Sequence, residues 1–391
     1  MDAQPNIVVT RQALLELAAR ALRERCIALD LEANGRFAYR ARISTLQVGF
    51  ADGDAVIIDP LAPDIAGDLS PLAPLLSSEG PIKIIHDVGF DARLLAQVGL
   101  TMGNVHDTAL AAQWLGRPAT GLASLALAEL GQTLDKSLQA QDWGARPLSE
   151  RSLRYLVSDV GHLFALDDRF WGEATALDIT AEILEETAYR MVSGARAVTD
   201  PDPRPAYTRA KGADALPRPD LAVFRRLYEA RETEAERLDT PSGELTPTAV
   251  LIAAARARPA TRQALAKVRA PIARLDAERI GAAYLEAIAI GIREADIEDA
   301  DWAWIRPPPS APGVIKARRD REARLSQWRK AAALARKVND QVILPGHCAS
   351  EIAGSEPKDL HALSQIAGFG AFRVARYGEA ILAALREPPP P

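Results

Sequence analysis

Residues 26–32 read Cys26-Ile27-Ala28-Leu29-Asp30-Leu31-Glu32, an apolar run with the β-enriched Ile27 that closes on two carboxylates. Side chains alternate along a strand, so Asp30 and Glu32 share one face. Two acids on one strand face repel each other unless a cation sits between them. Working outward, residues 149–170 read as a helix on which Tyr155 and Asp159 stand four apart and are therefore neighbours. Asp91, five residues after His86, adds a fourth acid.

At 391 residues the chain suits two or three domains rather than one core. Its 48% hydrophobic and 25% charged content is that of a soluble globular protein. No stretch approaches the uninterrupted apolar length of a membrane span, and Met1-Asp2-Ala3-Gln4-Pro5 lacks the basic start of a secretory signal, so a cytoplasmic location is expected. Cys26 and Cys348 are the only cysteines, and the five histidines (86, 106, 162, 347, 361) lack zinc spacing. Any metal here is expected to be a hard cation held by oxygen.

The net charge of −5 hides an asymmetry. Residues 1–200 carry 27 acidic against 17 basic side chains, whereas 201–391 carry 25 against 30. If the partner is a polyanion, the second half is the better candidate for gripping it. An ordinary solvated surface explains the same imbalance.

A short amphipathic helix (about Arg11 to Arg23) is followed by strand-like runs at 26–32, 43–50 and 55–59, with hairpin turn chemistry at Ala51-Asp52-Gly53-Asp54. Strands at 81–86 and 105–106 then alternate with helices near 69–78, 91–98, 107–116 and 121–130, and one long helical stretch runs from 149 to about 193. The order points to an α/β domain of RNase H-like type, a mixed sheet with flanking helices, over residues 1–198. Three prolines within Thr199–Pro205 mark a linker at 199–205. Beyond it the pattern is all-α: one helical domain at 206–296, a connecting segment at 297–319 and a second helical domain at 320–391. Across 312–337, nine basic residues face two acids, with Trp328 among them.

Asp30, Glu32, Asp91 and Asp159 together can hold two divalent ions about 3.5–4 Å apart, the arrangement that steadies attacking and leaving oxygens in phosphodiester hydrolysis. Each acid alone has a plainer explanation. An Asp-x-Glu pair is common surface charge, an acid in a first helical turn is favoured by the macrodipole, and Tyr155 with Asp159 is an ordinary amphipathic pair. Order and spacing together carry the argument.

On these residues the chain resembles the ribonuclease D family of the DEDD 3′–5′ exonuclease superfamily, in the branch whose third motif carries a tyrosine. Asp30-Leu31-Glu32 matches the first motif, followed by the similar run Tyr39-Arg40-Ala41-Arg42-Ile43-Ser44-Thr45-Leu46-Gln47. Lys83 through Leu95 matches the second, with Asp91 as its acid and Asp87 a decoy. Val105-His106-Asp107-Thr108 has His106 where the family usually carries an aromatic. Leu134-Asp135-Lys136-Ser137, Asp142-Trp143 and Arg146-Pro147-Leu148-Ser149 resemble the approach to the third motif, and Tyr155-Leu156-Val157-Ser158-Asp159 matches that motif itself. Val160-Gly161-His162-Leu163 departs from the family and places a glycine in mid-helix, at roughly 1 kcal/mol relative to alanine.

The resemblance implies a 3′–5′ exoribonuclease that releases 5′-mononucleotides with two divalent metal ions, Mg²⁺ or Mn²⁺. Asp30, Glu32 and Asp159 would ligate the first ion, Asp30 would bridge to the second, and Asp91 would support that second ion. Tyr155 would orient the attacking water and help deprotonate it. Gln47, His86 and Asp107 are candidates for orienting the ligands, although His86 reads equally well as a core histidine. The implied substrates are the 3′ ends of tRNA or other structured RNA precursors. A 3′–5′ DNA exonuclease with the same acids, or a catalytically silent RNA-binding scaffold, are the competing readings.

Tyr207 to Leu216 with Leu221 to Arg237 resembles the start of an HRDC domain, and Leu325 to Lys330 with Ala367 to Arg373 and Arg376 to Glu379 resembles a second, more divergent copy. HRDC-like modules imply contact with RNA. Lys211, Arg318, Arg319, Arg329 and Arg376 are candidates for the nucleic-acid backbone, and Trp328 and Phe369 for stacking on a base. A solvated face over a buried aromatic is the alternative for each.

Overall fold

A computed structural model describes residues 6–135, 137–268 and 277–386; Met1–Pro5 and Lys136, both used above, lie outside the described residues, as do 269–276 of the first helical domain. Contacts gather the chain into two units. One comprises residues up to Ala33, Ile43–Pro201 and everything from Ser310; the other comprises Asn34–Arg42 and Asp202–Pro309.

The first unit is built on a mixed sheet with strand order β1-β4-β3-β2-β5-β6. Its strands are β1 (Asn6–Val8), β2 (Cys26–Ala33), β3 (Ile43–Gly49), β4 (Ala55–Ile58), β5 (Ile82–Ile85) and β6 (Val105–Asp107). β2, β3 and β4 form the expected antiparallel meander, and β5 and β6 add in parallel beside β2. β1 was not expected. Three residues show no alternation, and pairing with β4 is what makes Asn6–Val8 a strand.

Helix α1 (Arg11–Ala21) buries Leu14, Leu17, Ala18 and Ala21 at helical spacing, starting from a Thr10 cap. Further along come α2 (Ala73–Leu76), α3 (Val88–Gln97), α4 (Thr108–Trp114) and α5 (Leu122–Leu130). The helical stretch expected from 149 to about 193 is three helices: α6 (Glu150–Gly161), α7 (Leu163–Ala176) and α8 (Thr180–Thr199). Gly161 is the last residue of α6, and His162 makes the turn into α7. The glycine therefore ends a helix and does not interrupt one.

Helix α6 contacts β2, β3 and β4, covering the sheet face on which Asp30 stands. Ser149 caps it by accepting a hydrogen bond from the Ser152 amide, and Leu156 and Val160, both wholly buried, contribute roughly 1.5–3 kcal/mol each. The approach is close because Gly49 has no side chain: a Cβ there would sit 3.2 Å from Val160 and 3.3 Å from Ala28. Just before α6, Arg146 forks onto Asp59 at 2.7 and 2.8 Å and donates to the Ser44 and Trp143 carbonyls. That ties the segment leading into α6 to the meander.

The same unit holds the C-terminal helices α15 (Pro312–Arg336), α16 (Asp340–Ile343), α17 (Gly346–Ser355), α18 (Leu360–Ser364) and α19 (Ala371–Arg386), once the second unit has supplied α9 to α14. α15 begins within the segment read as a connector and carries the basic run on one helix. Leu325, Ile343, Leu344, Cys348, Ile352, Leu363, Phe369 and Ile381 form this module's core.

In the second unit, α9 (Arg218–Arg237) and α13 (Ala277–Glu294) pack along each other, with Gly291 allowing contact with the Val223 backbone. α10 (Ser242–Leu245), α11 (Thr248–Ala257), α12 (Arg262–Lys267) and α14 (Asp299–Ile305) complete it. Residues 34–42 belong here by contact: the Tyr39 amide donates to Asp239 at 3.1 Å, and Arg40 pairs with Glu236 at 2.8 Å.

Gly49→Val is expected to cost about 1–3 kcal/mol in urea denaturation, because α6 has no room to accept the added carbons. Gly172→Ala in α7, where a Cβ meets nothing within 4 Å, is expected to stabilise by roughly 0.5–1 kcal/mol. A neutral Gly49→Val would show that α6 is not held at the sheet by this contact.

Candidate metal centre

The sheet register places Asp30 opposite Gln47 and Glu32 opposite Thr45, so the β2 acids stand beside polar neighbours on β3. α6 brings down Asp159 from above. Carboxylate oxygens of Asp30, Glu32 and Asp159 lie within 4.8 Å of one another. They line a cleft of about 320 Å³ together with His86, Leu122, Ala123, Leu134, Asp135, Gln139 and Tyr155.

Asp91 sits in the first turn of α3, is 4% exposed, and lies outside the 4.8 Å set. Burial holds its carboxyl well above the ordinary range, and the charges of Asp30, Asp107, Asp87 and Glu32 push it further. Asp30 and Glu32 thus reach Asp91 by their field. Asp87 is an exposed turn residue with φ 68°, in the left-handed region that asparagine and aspartate tolerate best.

Asp107 caps α4 through the Ala109 and Leu110 amides and also accepts the Asp87 and Val88 amides at 3.1 and 2.9 Å. One buried carboxylate therefore fixes the start of the helix that carries Asp91. His86 Nδ1 meets Thr108 Oγ1 at 2.9 Å, and burial pulls its imidazole below the ordinary histidine value, so it stands in the cleft wall as a neutral ring. Gln47 is wholly buried, donates to Thr45 Oγ1 at 2.7 Å, and leaves Oε1 without a partner. His106 keeps a stacking role in place of an aromatic: its ring lies 3.9 Å from that of Trp171 and its Nδ1 is 2.9 Å from Asp167.

Tyr155 is 9% exposed and packs against the buried Trp143, ring centroids 5.6 Å apart. Burial first, then the charges of Asp159, Glu32 and Asp30, push its phenol above the ordinary tyrosine value. Gln139, Leu122 and Ala123 were not singled out from sequence, because apolar and amide side chains in a cleft wall carry no pattern of their own. Arg146 was noticed only within a motif, and its forked grip on Asp59 appears only in three dimensions.

The nucleic-acid candidates are scattered. Lys211, Arg318 and Arg319 are exposed, Arg318 sharing its guanidinium with Glu322 and Ser350 at 3.0 Å each. Arg329 is engaged by Asp340 at 2.6 Å and by the Leu344 carbonyl, Arg376 by Glu182 at 3.1 Å, and Trp328 packs edge-on against Tyr377. Phe369 must be withdrawn as a stacking platform: it is wholly buried in the module's core.

The donor set suits a hard divalent cation: three carboxylates converge, and among the described residues no ion pair neutralises them. Burial, reinforced for Glu32 and Asp159 by neighbouring acids, pushes Asp30 up to about 7, Asp159 to about 8 and Glu32 to about 9. Unfolded, these groups titrate near 4. Their contribution to stability is thus present below about pH 4 and is lost as pH rises to the folded values. A divalent ion competes with the same protons, so Mg²⁺ or Mn²⁺ is expected to raise the melting temperature more at pH 8 than at pH 6. Equal shifts at the two pH values would show that the ions stabilise the protein elsewhere.

Comparison with known proteins agrees with this geometry. A 3′–5′ exonuclease family matches residues 5–174, and the HRDC domain family matches 220–288 and 318–385. Ribonuclease D of Granulibacter bethesdensis is 30% identical over 80% of this chain and 79% of its own length. Ribonuclease D of Desulfotalea psychrophila is 29% identical over 75% and 78%. The crystal structure of Escherichia coli RNase D, described as an exoribonuclease involved in structured RNA processing, superposes with a TM-score of 0.71 over 99% of this chain and 100% of that one at 22% identity, which speaks to fold. Among the described residues no helix is long and apolar enough to cross a membrane. An α/β exonuclease domain with converging acids, followed by helical HRDC modules, places this chain in the ribonuclease D family.

Proposed function

We propose that this protein is a divalent-metal-dependent 3′–5′ exoribonuclease that trims the 3′ ends of tRNA or other structured RNA precursors, releasing 5′-mononucleotides. The observation that carries this reading is the convergence of Asp30, Glu32 and Asp159 on one cleft, with Asp91 buried beside them. Asp30, Glu32 and Asp159 would hold one ion, and Asp30 with Asp91 a second, Mg²⁺ or Mn²⁺. Bound there, the pair supplies a nucleophile at neutral pH and neutralises charge on the phosphodiester.

The chain's own residues do the rest. The four acids hold the pair in place, with Asp107 fixing the start of the helix that bears Asp91. Tyr155, whose phenol is held above the ordinary tyrosine value by burial and by the neighbouring carboxylates, would orient the attacking water by hydrogen bonding. His86 and Gln139, which line the same cleft, would contact the terminal nucleotide. With this reading goes a division of labour between a cutting domain at 1–198 and helical modules at 206–296 and 320–391, joined through a linker at 199–205 and a connecting segment at 297–319, in which the modules engage the body of the RNA.

Asp30→Asn is expected to abolish hydrolysis while retaining RNA binding, in a gel-shift assay run beside product analysis. Near-parental cleavage by that variant would end the metal assignment. Labelled RNA and DNA of one sequence, digested in parallel, test the sugar preference, and faster loss of the DNA would reassign the substrate. Tyr155→Phe is expected to lower kcat about 10²-fold through loss of orientation, with the alkaline limb of the pH–rate profile unmoved. A shift of that limb would return the phenol to the role of base.

A further inference from the structure

Helix α8 carries two wholly buried acids, Glu182 and Glu186, and both meet arginines of the C-terminal helical module. Arg336 and Arg376 reach Glu182 at 2.9 and 3.1 Å. Arg373, itself wholly buried, stands 2.8 Å from Glu186 as an ion pair off hydrogen-bond alignment, and its other nitrogen donates to the Gly368 carbonyl. The Phe372 amide donates to Glu185 at 2.9 Å, and a Cβ at Gly370 would collide with that glutamate. Tyr189 stacks on His347 with centroids 4.8 Å apart.

The same helix presses on the one that bears Asp91. α3 and α8 pack along each other, and a Cβ at Gly194 would strike the Gly89 carbonyl. Arg190, one turn along α8, donates its Nε to Glu186 at 2.8 Å. Asp107 holds the amides that open α3, less than one turn before Asp91. Glu186 is thus shared by Arg373 of the C-terminal module and Arg190 of α8, on the helix that packs against α3.

We propose, resting on the metal-centre reading above, that the C-terminal module is a positioning element of that centre: by pairing with Glu186, Arg373 and Arg190 set the position of α8, whose close packing against α3 fixes Asp91. Glu186 is wholly buried, so losing its partners leaves an uncompensated acid at the contact between α8 and the module, and a shift of α8 is the response this proposal expects. Packed helices pass that shift directly to α3. Coupling is reciprocal, so ions bound at Asp91 tighten the module on α8.

The test uses the full-length protein, Mn²⁺ alone as the binding probe in an EPR titration, and a short single-stranded RNA for kinetics. Arg190→Gln and the double variant Glu186→Gln/Arg373→Met are each expected to weaken Mn²⁺ binding about tenfold, with kcat falling in step and KM for the RNA unchanged. Arg190→Lys, which keeps the charge, is expected to recover most of the affinity. Mn²⁺ is also expected to slow hydrogen exchange of the Phe372 amide in the parent and not in Asp91→Asn. The Arg190 side chain is 44% exposed, so Arg190→Gln decides the matter even if the double variant does not fold. Mn²⁺ affinity in Arg190→Gln within about twofold of the parent, against the tenfold typical of supporting residues, overturns the proposal. Asp30→Asn run alongside separates the two readings. If it too binds Mn²⁺ like the parent, the metal centre itself is misassigned; if it alone loses binding, only the positioning role is.

Discussion

Everything at this site depends on holding like charges together. Carboxylates from β2 and α6 are forced within 4.8 Å, and a fourth acid on α3 is buried in their field. In water such groups would separate, and here the backbone prevents it. The restraint is built from ordinary packing: Gly49 lets α6 reach the sheet, Arg146 and Asp59 anchor the segment before it, and Trp143 backs Tyr155. Asp107 does the same for α3 by taking two amides at its start, and two more of α4, on one carboxylate. The strain of the cluster is relieved when protons or divalent cations occupy it, which makes ion binding and the integrity of the fold two aspects of one equilibrium.

The helical half changes character once its charges are followed individually. Its net positive balance suggests a surface spread for a polyanion, yet Arg336, Arg373 and Arg376 point inward to Glu182 and Glu186, and Arg329 serves Asp340. Those cations join elements of one protein. Arg319 and Lys211 remain outward, and Arg318, also exposed, is shared with Glu322 and Ser350. Buried ion pairs are weak as net stabilisers and strong as specifiers of a single docking geometry, because the unpaired alternatives are costly. The C-terminal module therefore sits on α8 in one register, contiguous with the helix pair behind the cleft.

Local chemistry made much of this readable in advance. The alternation in Cys26–Glu32 put Asp30 and Glu32 on one face, the spacing of Tyr155 and Asp159 put both on one helix face, and turn residues bounded β3 and β4, because each of these depends on neighbours within a few positions. β1 escaped because three residues have no period; the break between α6 and α7 escaped because a glycine reads alike in the middle of a helix and at its end, and the one between α7 and α8 because it turns on Asp178, a non-glycine residue at φ 53°. Phe369 was misread since an aromatic beside glycines looks the same in a core as on a binding face.

The amino-acid order alone thus determined which acids exist, which pairs share a face, and the succession of sheet and helices, since periodicity and turn chemistry are encoded locally. Only the tertiary structure decided that Asp159 meets Asp30 and Glu32, that Asp107 supports Asp91, and that Arg373 and Arg190 share Glu186. Apart from Arg190 and Glu186, four residues apart on α8, those partners lie on different elements, and sequence separation carries no information about distance until packing has chosen which faces touch.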